Sequence, residues 1–198
     1  RTETMAVTES CPDSPDATWL RIQTATPEDS RSPEISKDIK IEDPGARLVA
    51  YGQEAAAVFL PGDTPRIVSY NFEGEALSST DVEPSTSITN SASPFAPAVA
   101  DLPHHMTWFD GERLYLFTPT QLKVDHVLEQ ALGTGVAVDE RVLVPTEEGI
   151  DLVDWSTGKT ERTIPVDRDG YSGPISLTLS GTVIVEQRGD TAVALKAS

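Results

Sequence analysis

The chain has 198 residues, of which 38% are hydrophobic and only 6% aromatic, and it carries a formal net charge of -17 with a pI near 4.4. A protein with this net negative charge repels phosphate backbones and anionic lipid surfaces, which makes nucleic acid a poor candidate partner. No apolar run approaches the roughly 20 residues with which a helix spans a bilayer.

The N-terminal segments predict paired β-strands followed by an irregular stretch. TETMAVTES (residues 2–10) and ATWLRIQT (residues 17–24) alternate apolar and polar residues, and turn formers link them. These two runs predict a hairpin or adjacent strands. Residues 25–46 are charged and contain prolines, so they predict an irregular surface segment with one short strand at residues 39–41.

The next stretch continues with strands and ends in a loop. RLVAYGQEAAAVFLP and PRIVSYNFEGEAL, within residues 47–77, contain apolar runs separated by short polar turns, which is typical of strands. Residues 78–103 are dominated by Ser, Thr, Pro and Ala and have little periodicity. They therefore predict an irregular loop.

From residue 107 onward, predicted strands follow one another closely. The runs are TWFDGERLYLFTP, GVAVDERVLVP, IDLVDWSTGKTERTIPV and ISLTLSGTVIVEQRGDTAVALK. The first contains the Asp-Gly signal of a tight hairpin. VDHVLEQAL, residues 124–132, fits a strand as well as one or two helical turns.

Four stretches of the chain share one plan, at residues 48–77, 106–132, 136–160 and 177–196. Each has a short strand, a tight polar turn, a strongly apolar strand, a second turn and an alternating strand. This is the plan of the four-stranded antiparallel blade of a β-propeller, in which stacking buries both faces of sheets too small to bury their own. The sequence predicts an all-β propeller, either a partial ring or about four blades, possibly within a larger propeller. The turn at residues 154–159 should join the third and fourth strands of a blade, with Gly158 at positive φ.

Two motifs carry a family resemblance. The D-x-x-T-G-K turn at residues 154–159 and GTVIVEQRGDTAVAL at residues 181–195 resemble the repeat of PQQ-like β-propellers. Residues 133–196 are similar to the C-terminal end of secreted or membrane-anchored actinobacterial propeller proteins, and residues 2–77 resemble them more loosely. The resemblance implies an extracytoplasmic location. It also implies that N-terminal blades are missing from this piece, in keeping with a chain that begins at Arg1 instead of Met.

The resemblance also bears on cofactors and on Cys11, the only cysteine. Quinoprotein dehydrogenases hold their quinone with an adjacent-cysteine disulfide and a calcium ion, and this chain lacks such a pair. We therefore expect no quinone and no other cofactor. The resemblance implies that Cys11 had its disulfide partner in the missing blades, whereas a free, half-buried thiol accounts for the sequence equally well.

The sequence offers no catalytic or metal-binding constellation. His104 and His105 would point to opposite faces of a strand, so they cannot easily chelate one metal. Residues 167–170, DRDG, lack the spacing and the bidentate Glu of a calcium loop and predict a connection between blades. Residues 170–173, GYSG, lack the second glycine of the G-x-S-x-G motif. We assign no catalytic and no metal residues and do not expect an enzyme.

Three functional hypotheses follow. The first is a non-enzymatic scaffold or accessory factor of the cell envelope, with a protein partner or the rest of the same propeller bound to it. The second is a module that binds a glycan or an envelope lipid through Trp108, Phe109 and Tyr171, although packing between blades is the favoured explanation for the tryptophan. The third is a propeller hydrolase, which would need convergent acids or a metal at the central channel.

Overall fold

A computed structural model describes residues 4–24, 35–83, 85, 98–102 and 105–195. All regular elements in these ranges are β-strands, so the all-β prediction is confirmed. The stretch that fitted either a helix or a strand forms the strand Val124–Leu128. None of the described residues belongs to a helix with the length and hydropathy of a membrane span.

The chain divides into two compact units, residues 1–83 with 118–124 and residues 84–117 with 125–198. The first unit contains two antiparallel sheets, β1-β2-β3 and β4-β5-β6-β7, in which neighbours along the chain are also neighbours in the sheet. Their strands are β1 (Thr4–Cys11), β2 (Ser14–Thr24), β3 (Ile35–Ile41), β4 (Arg47–Tyr51), β5 (Ala55–Leu60), β6 (Arg66–Asn71) and β7 (Ala76–Asp81).

The second unit contains three further antiparallel sheets, β8 to β11, β12 to β15 and β16 to β18, again in chain order. Their strands are β8 (Val99–Leu102), β9 (His105–Phe109), β10 (Leu114–Phe117), β11 (Val124–Leu128), β12 (Val136–Val138), β13 (Arg141–Thr146), β14 (Gly149–Asp154), β15 (Lys159–Pro165), β16 (Ile175–Ser180), β17 (Val183–Arg188) and β18 (Thr191–Leu195).

These up-and-down antiparallel sheets are blades of the β-propeller type, as the repeat predicted. The prediction was a partial ring or about four blades. The described residues form five sheets, of which three have four strands and two have three. The additional sheet arises because the N-terminal hairpin acquires β3 as a third strand.

The segments expected to be irregular contain more strand than predicted. Within residues 25–46, β3 has seven residues instead of three and pairs with β2 along its length. Its charges form cross-strand pairs, for example Arg21 Nε with Asp38 Oδ1 at 3.2 Å, and these charges obscured the apolar alternation in the sequence. Within residues 78–103, β7 ends and β8 begins. The central residues 86–97, like residues 25–34 and His104, lie outside the described residues.

Burial between sheets provides the core of each unit. In the first unit, Leu20 and Ile22 of β2 pack in one cluster with Val58 of β5. All six residues of β5, AAAVFL, are buried. A strand this apolar needs cover on both faces, which a single sheet cannot give itself.

In the second unit, β13 is buried on both faces. Val142 and Val144 pack in a cluster with Leu116 of β10, whereas Leu143 packs in another cluster with Ile175 of β16. Alternate residues of one strand thus face two different neighbouring sheets, as the alternation of side chains along a strand requires. The β12–β15 sheet is therefore the middle layer of three.

A glycine permits the close approach of backbone between the last two sheets. Ile175 N donates a hydrogen bond to Leu132 O at 2.6 Å. A Cβ atom on the adjacent Gly133 would lie 1.9 Å from Ile175 O, well inside van der Waals contact. Only a residue without a side chain fits there.

We predict that Gly133→Ala destabilises the protein by about 2–3 kcal/mol, because the new methyl group must separate two backbone segments. The control is Gly181→Ala, where no atom lies within 4 Å of the added Cβ. The only cost there comes from placing alanine at a φ of 60°, so the free energy of unfolding should fall by only about 1 kcal/mol. Urea unfolding of both variants measures the difference, and equal losses would contradict the close approach.

Candidate functional site

The turn between β14 and β15, residues 154–159, is held by one carboxylate. Asp154 Oδ1 accepts hydrogen bonds from Ser156 Oγ at 2.7 Å, Thr157 N at 2.9 Å and Thr157 Oγ1 at 2.8 Å. The bond from Ser156 and then those from Thr157 hold the pKa of Asp154 below its usual value. Gly158 has a φ of 64°. The predicted place of this turn, between the third and fourth strands of a blade, and its positive-φ glycine are both confirmed.

The side chain of Trp155 points from this turn into the core between two sheets. Its ring stacks on His105 of β9, with 3.7 Å between the ring centroids and 7° between the planes. The residue is only 7% exposed and packs in the cluster that includes Leu116 and Val144. The turn thus anchors the β12–β15 sheet to the β8–β11 sheet.

A second histidine of the β8–β11 sheet contacts the same turn from β11. His126 Nε2 lies 3.3 Å from Ser156 O. A Cβ atom on Gly158 would lie 2.6 Å from His126 Cγ, so the imidazole rests directly on the glycine. The role of this glycine is therefore twofold, since it supplies the turn conformation and leaves room for a neighbouring ring.

The described histidines therefore have packing partners in this structure. His105 Nδ1 also lies 3.3 Å from Phe117 O. Nowhere in the described ranges do three or more His, Cys, Asp or Glu side chains come together in a group suited to a metal ion.

The end of the β12–β15 sheet that carries this turn borders a cleft of about 650 Å³. A cleft of this size falls within the usual range of ligand sites. Its lining consists of apolar, aromatic and charged residues: Leu102, His105, Asp125, Ala137, Asp139, Glu140, Arg141, Asp154, Trp155 and Ser156. All of them belong to the second unit. The sequence did not predict this cleft because its residues come from six strands and two turns.

The cleft is acidic. Four of its lining residues are carboxylates, and the one Arg is engaged elsewhere. Arg141 Nε donates to Glu161 Oε2 at 2.5 Å, and its Nη2 donates to Glu161 Oε1 at 3.3 Å. The guanidinium carries a single positive charge and interacts with Asp139 and Asp154 as well as with Glu161. The four carboxylates Asp125, Asp139, Glu140 and Asp154 therefore outweigh it inside the cleft.

The opposite end of the same sheet is held by a buried arginine. Arg168, in the connection between β15 and β16, is 7% exposed and donates from Nη2 to Glu186 Oε1 at 2.8 Å. It also donates to Thr146 O, and to Gly149 O at 2.6 Å, both in the β13–β14 turn. Glu186 is completely buried and accepts a further bond of 2.8 Å from Arg188 Nε.

The Arg168–Glu186 pair therefore joins three elements: the β13–β14 turn, the β15–β16 connection and strand β17. The interpretation of residues 167–170 as a connection between blades is confirmed by their place between β15 and β16. The buried role of Arg168 was not foreseen. A signal existed, because Glu186 directly follows the apolar run VIV within β17, and a carboxylate buried in a strand requires a cationic partner.

Two of the three candidate binding residues are buried, and the third is half-buried in the connection between β15 and β16. Trp108 is 5% exposed and stacks on Tyr115 with ring centroids 4.9 Å apart, and Phe109 is 9% exposed within the core. Tyr171 donates its hydroxyl to Pro174 O at 2.8 Å. None of the three predicted residues lines the cleft. A binding role for these three residues stays a prediction, and the structure places Trp108 and Phe109 in the core.

Cys11 lies at the β1–β2 turn, half-buried, with a free thiol. The sequence allowed either a free thiol or a disulfide to a cysteine outside this chain. Such an external pairing stays a prediction.

No family model matches the chain, and no curated protein matches it. Among solved structures, BamB from Moraxella catarrhalis is similar over 98% of this chain and 62% of its own, with a TM-score of 0.48 and 9% identity. Hsv2 with loop 6CD replaced by a Gly-Ser linker is similar over 97% of this chain and 61% of its own, with a TM-score of 0.44 and 12% identity. PorZ of Porphyromonas gingivalis is similar over 91% of this chain and 26% of its own, with a TM-score of 0.46 and 13% identity.

These similar proteins are β-propellers. The chain spans about three fifths of the length of the first two, Hsv2 and BamB.

Removing one member of the buried ion pair should be costly. We predict that Arg168→Met destabilises the protein by about 3 kcal/mol, because Glu186 stays buried with only Arg188 beside it. The control is Arg141→Met, which breaks the exposed pair with Glu161 and should cost at most about 1 kcal/mol. Chemical unfolding gives both values. A loss at Arg168 as small as at Arg141 would show that the pair does not hold the sheets together.

The lowered pKa of Asp154 predicts a pH-dependent effect of Asp154→Asn, which keeps an acceptor oxygen but removes the charge. Ionised Asp154 stabilises the folded state above the ordinary aspartate pKa of about 3.9, and this contribution is lost as the pH falls through the lower folded-state pKa. The variant should therefore unfold at a lower urea concentration than wild type between about pH 5 and 8. The difference between the two unfolding midpoints should disappear as the pH falls below the folded-state pKa.

Asp63→Asn, at an exposed loop carboxylate, is the matched control. It should show little difference from wild type at any pH in the same series. A gap for Asp154→Asn that stays constant down to about pH 2 would contradict a role for the charge, as opposed to the shape, of the carboxylate.

Proposed function

We propose that this chain is a non-enzymatic, extracytoplasmic β-propeller of the PQQ-like repeat type, secreted or membrane-anchored, that acts as a protein-interaction scaffold or accessory factor of the cell envelope. The observation that supports this most is the preformed cleft at the junction of two blades. Its lining combines buried residues such as Leu102 and Trp155 with four carboxylates. Such a surface offers shape and charge for recognition.

The rigidity of the cleft favours recognition of a partner. Trp155 is fixed by His105, and Asp154 is fixed by three hydrogen bonds within its own turn. A site whose side chains are already ordered loses little conformational entropy on binding. The rest of the same propeller is a second proposed partner, since stacking against a neighbour is how each blade is stabilised.

A glycan or envelope-lipid ligand is less well supported. A sugar-binding platform needs an open aromatic face, whereas Trp155 is 7% exposed with its ring against His105. Anionic lipid headgroups would meet the field of four carboxylates. A hydrolase activity draws no support from a cleft whose Asp154 is committed to holding a turn.

The test is capture from envelope extracts of the organism that encodes the chain, with three immobilised proteins compared. They are wild type, the cleft variant Asp139→Asn with Glu140→Gln, and a matched variant, Glu147→Gln with Glu148→Gln. Both variants lose two exposed carboxylates from a tight turn of the β12–β15 sheet. The two turns lie at opposite ends of six-residue β13, about 20 Å apart at roughly 3.3 Å per residue.

We expect one protein to be recovered by wild type and by the matched variant but depleted with the cleft variant, and mass spectrometry identifies it. Equal recovery by all three, or nothing above background, would count against a scaffold that uses the cleft. A panel of glycans and lipids should leave the melting temperature of wild type unchanged, because a ligand specific for the native state raises it.

A further inference from the structure

The cleft at the junction of the β8–β11 and β12–β15 sheets is negatively charged, which favours a positively charged ligand. We propose that it binds a basic peptide segment of the partner, with an arginine side chain seated among the carboxylates. This inference rests on the proposed function and specifies the chemistry of the partner. It depends on three features of the cleft: the sign of its charge, the fixed positions of two of its acids and its apolar lining.

The charge inside the cleft is unbalanced in one direction. Asp125, Asp139 and Glu140 are exposed at the cleft, and Asp154 lines it as well. Arg141, directly opposite Asp154 across β13 and β14, carries one positive charge and also bonds to Glu161, so it offsets at most one of the four carboxylates. A cation that enters the cleft therefore gains attraction from several carboxylates at once.

Two of the four acids, Asp154 and Asp125, make side-chain contacts that limit their movement. Asp154 Oδ1 accepts three hydrogen bonds within its own turn. Asp139 adopts a left-handed φ of 52° in the β12–β13 turn. Asp125 Oδ2 lies 3.6 Å from His126 Nε2, on the strand that contacts the Asp154 turn. Fixed carboxylates recognise a planar guanidinium better than mobile ones, since little side-chain entropy is lost.

The lining also suits the stem of a long basic side chain. Leu102 and Trp155 are buried and Ala137 is half-buried where they line the cleft. Arginine presents methylene groups to apolar surface while its charged end reaches carboxylates, and its guanidinium is weakly hydrated. Lysine shares the charge but offers a strongly hydrated point charge without the planar fork, so we expect weaker binding.

A bare divalent cation fits the cleft less well. Such an ion needs several oxygen ligands at about 2.1–2.5 Å from one point. The carboxylates of the cleft do not form a group of three or more suited to a metal among the residues that the structure describes. A cleft of about 650 Å³ with separated acids instead matches an extended cation such as an arginine within a peptide.

Fluorescence anisotropy with synthetic peptides tests the proposal. The probes are fluorescein-labelled heptapeptides in which three glycines of a polyglycine chain are replaced by arginine, by lysine or by glutamate. Measurements at 150 mM salt screen charges beyond about 8 Å, so that attraction to the overall acidic surface contributes little. The proteins are wild type, the cleft variant and the matched variant of the envelope experiment.

We expect the arginine peptide to bind wild type and the matched variant with affinities within about twofold, and the cleft variant roughly tenfold more weakly. The lysine peptide should bind more weakly than the arginine peptide, and the glutamate peptide not at all. Equal melting temperatures of the two double variants would show that both remain folded.

Two outcomes contradict the proposal that the cleft binds an arginine side chain. One is that both variants bind the arginine peptide equally weakly, and the other is that neither wild type nor the variants bind it. Failure of this inference is distinguishable from failure of the scaffold proposal. If the cleft variant loses its envelope partner while no protein binds the arginine peptide, the cleft recognises a protein by other chemistry. If the peptide binds as expected but no envelope protein is captured, the scaffold proposal fails instead.

Discussion

The middle sheet of the second unit is apolar on both faces, and this constraint explains the rest of that unit. Strand β13 turns Val142 and Val144 to one neighbour and Leu143 to the other. Three or four short strands cannot cover two such faces by themselves, so each sheet requires another on each side. The contacts that hold neighbouring sheets in register are therefore as important as the pairing of strands within them.

Two different kinds of contact hold the two ends of the middle sheet. At one end, Trp155 and Gly158 of a tight turn meet His105 and His126 of the preceding sheet, and the contact is mainly ring packing. At the other end, Arg168 reaches backbone carbonyls and the buried carboxylate of the following sheet. Ring packing tolerates an adjacent solvent-filled cleft, whereas a buried ion pair must be enclosed to keep both charges satisfied. This difference explains why the cleft lies at the end with the tryptophan.

Much of the fold was predictable because local sequence patterns indicate its turns and strands. Tight turns such as the Asp154 turn have strong residue preferences, and apolar alternation marks half-buried strands. The prediction failed where local patterns were weak. Strand β3 was underestimated since its exposed face is charged, and the polar edge strand β7 lacks an apolar pattern. Both are stabilised by pairing with strands that had been recognised, which is a tertiary effect.

The sequence by itself determined the class of fold, the repeated blade and the special turn at Gly158, because these follow from side-chain periodicity and backbone preference over a few residues. Tertiary structure alone decided which side chains meet. It placed Trp108 and Phe109 in the core, gave Arg168 a buried carboxylate 18 residues away and gathered Asp125 and Glu140 at one cleft. Such pairings depend on how separate sheets stack, and stacking is set by burial across the chain and not by any short stretch of it.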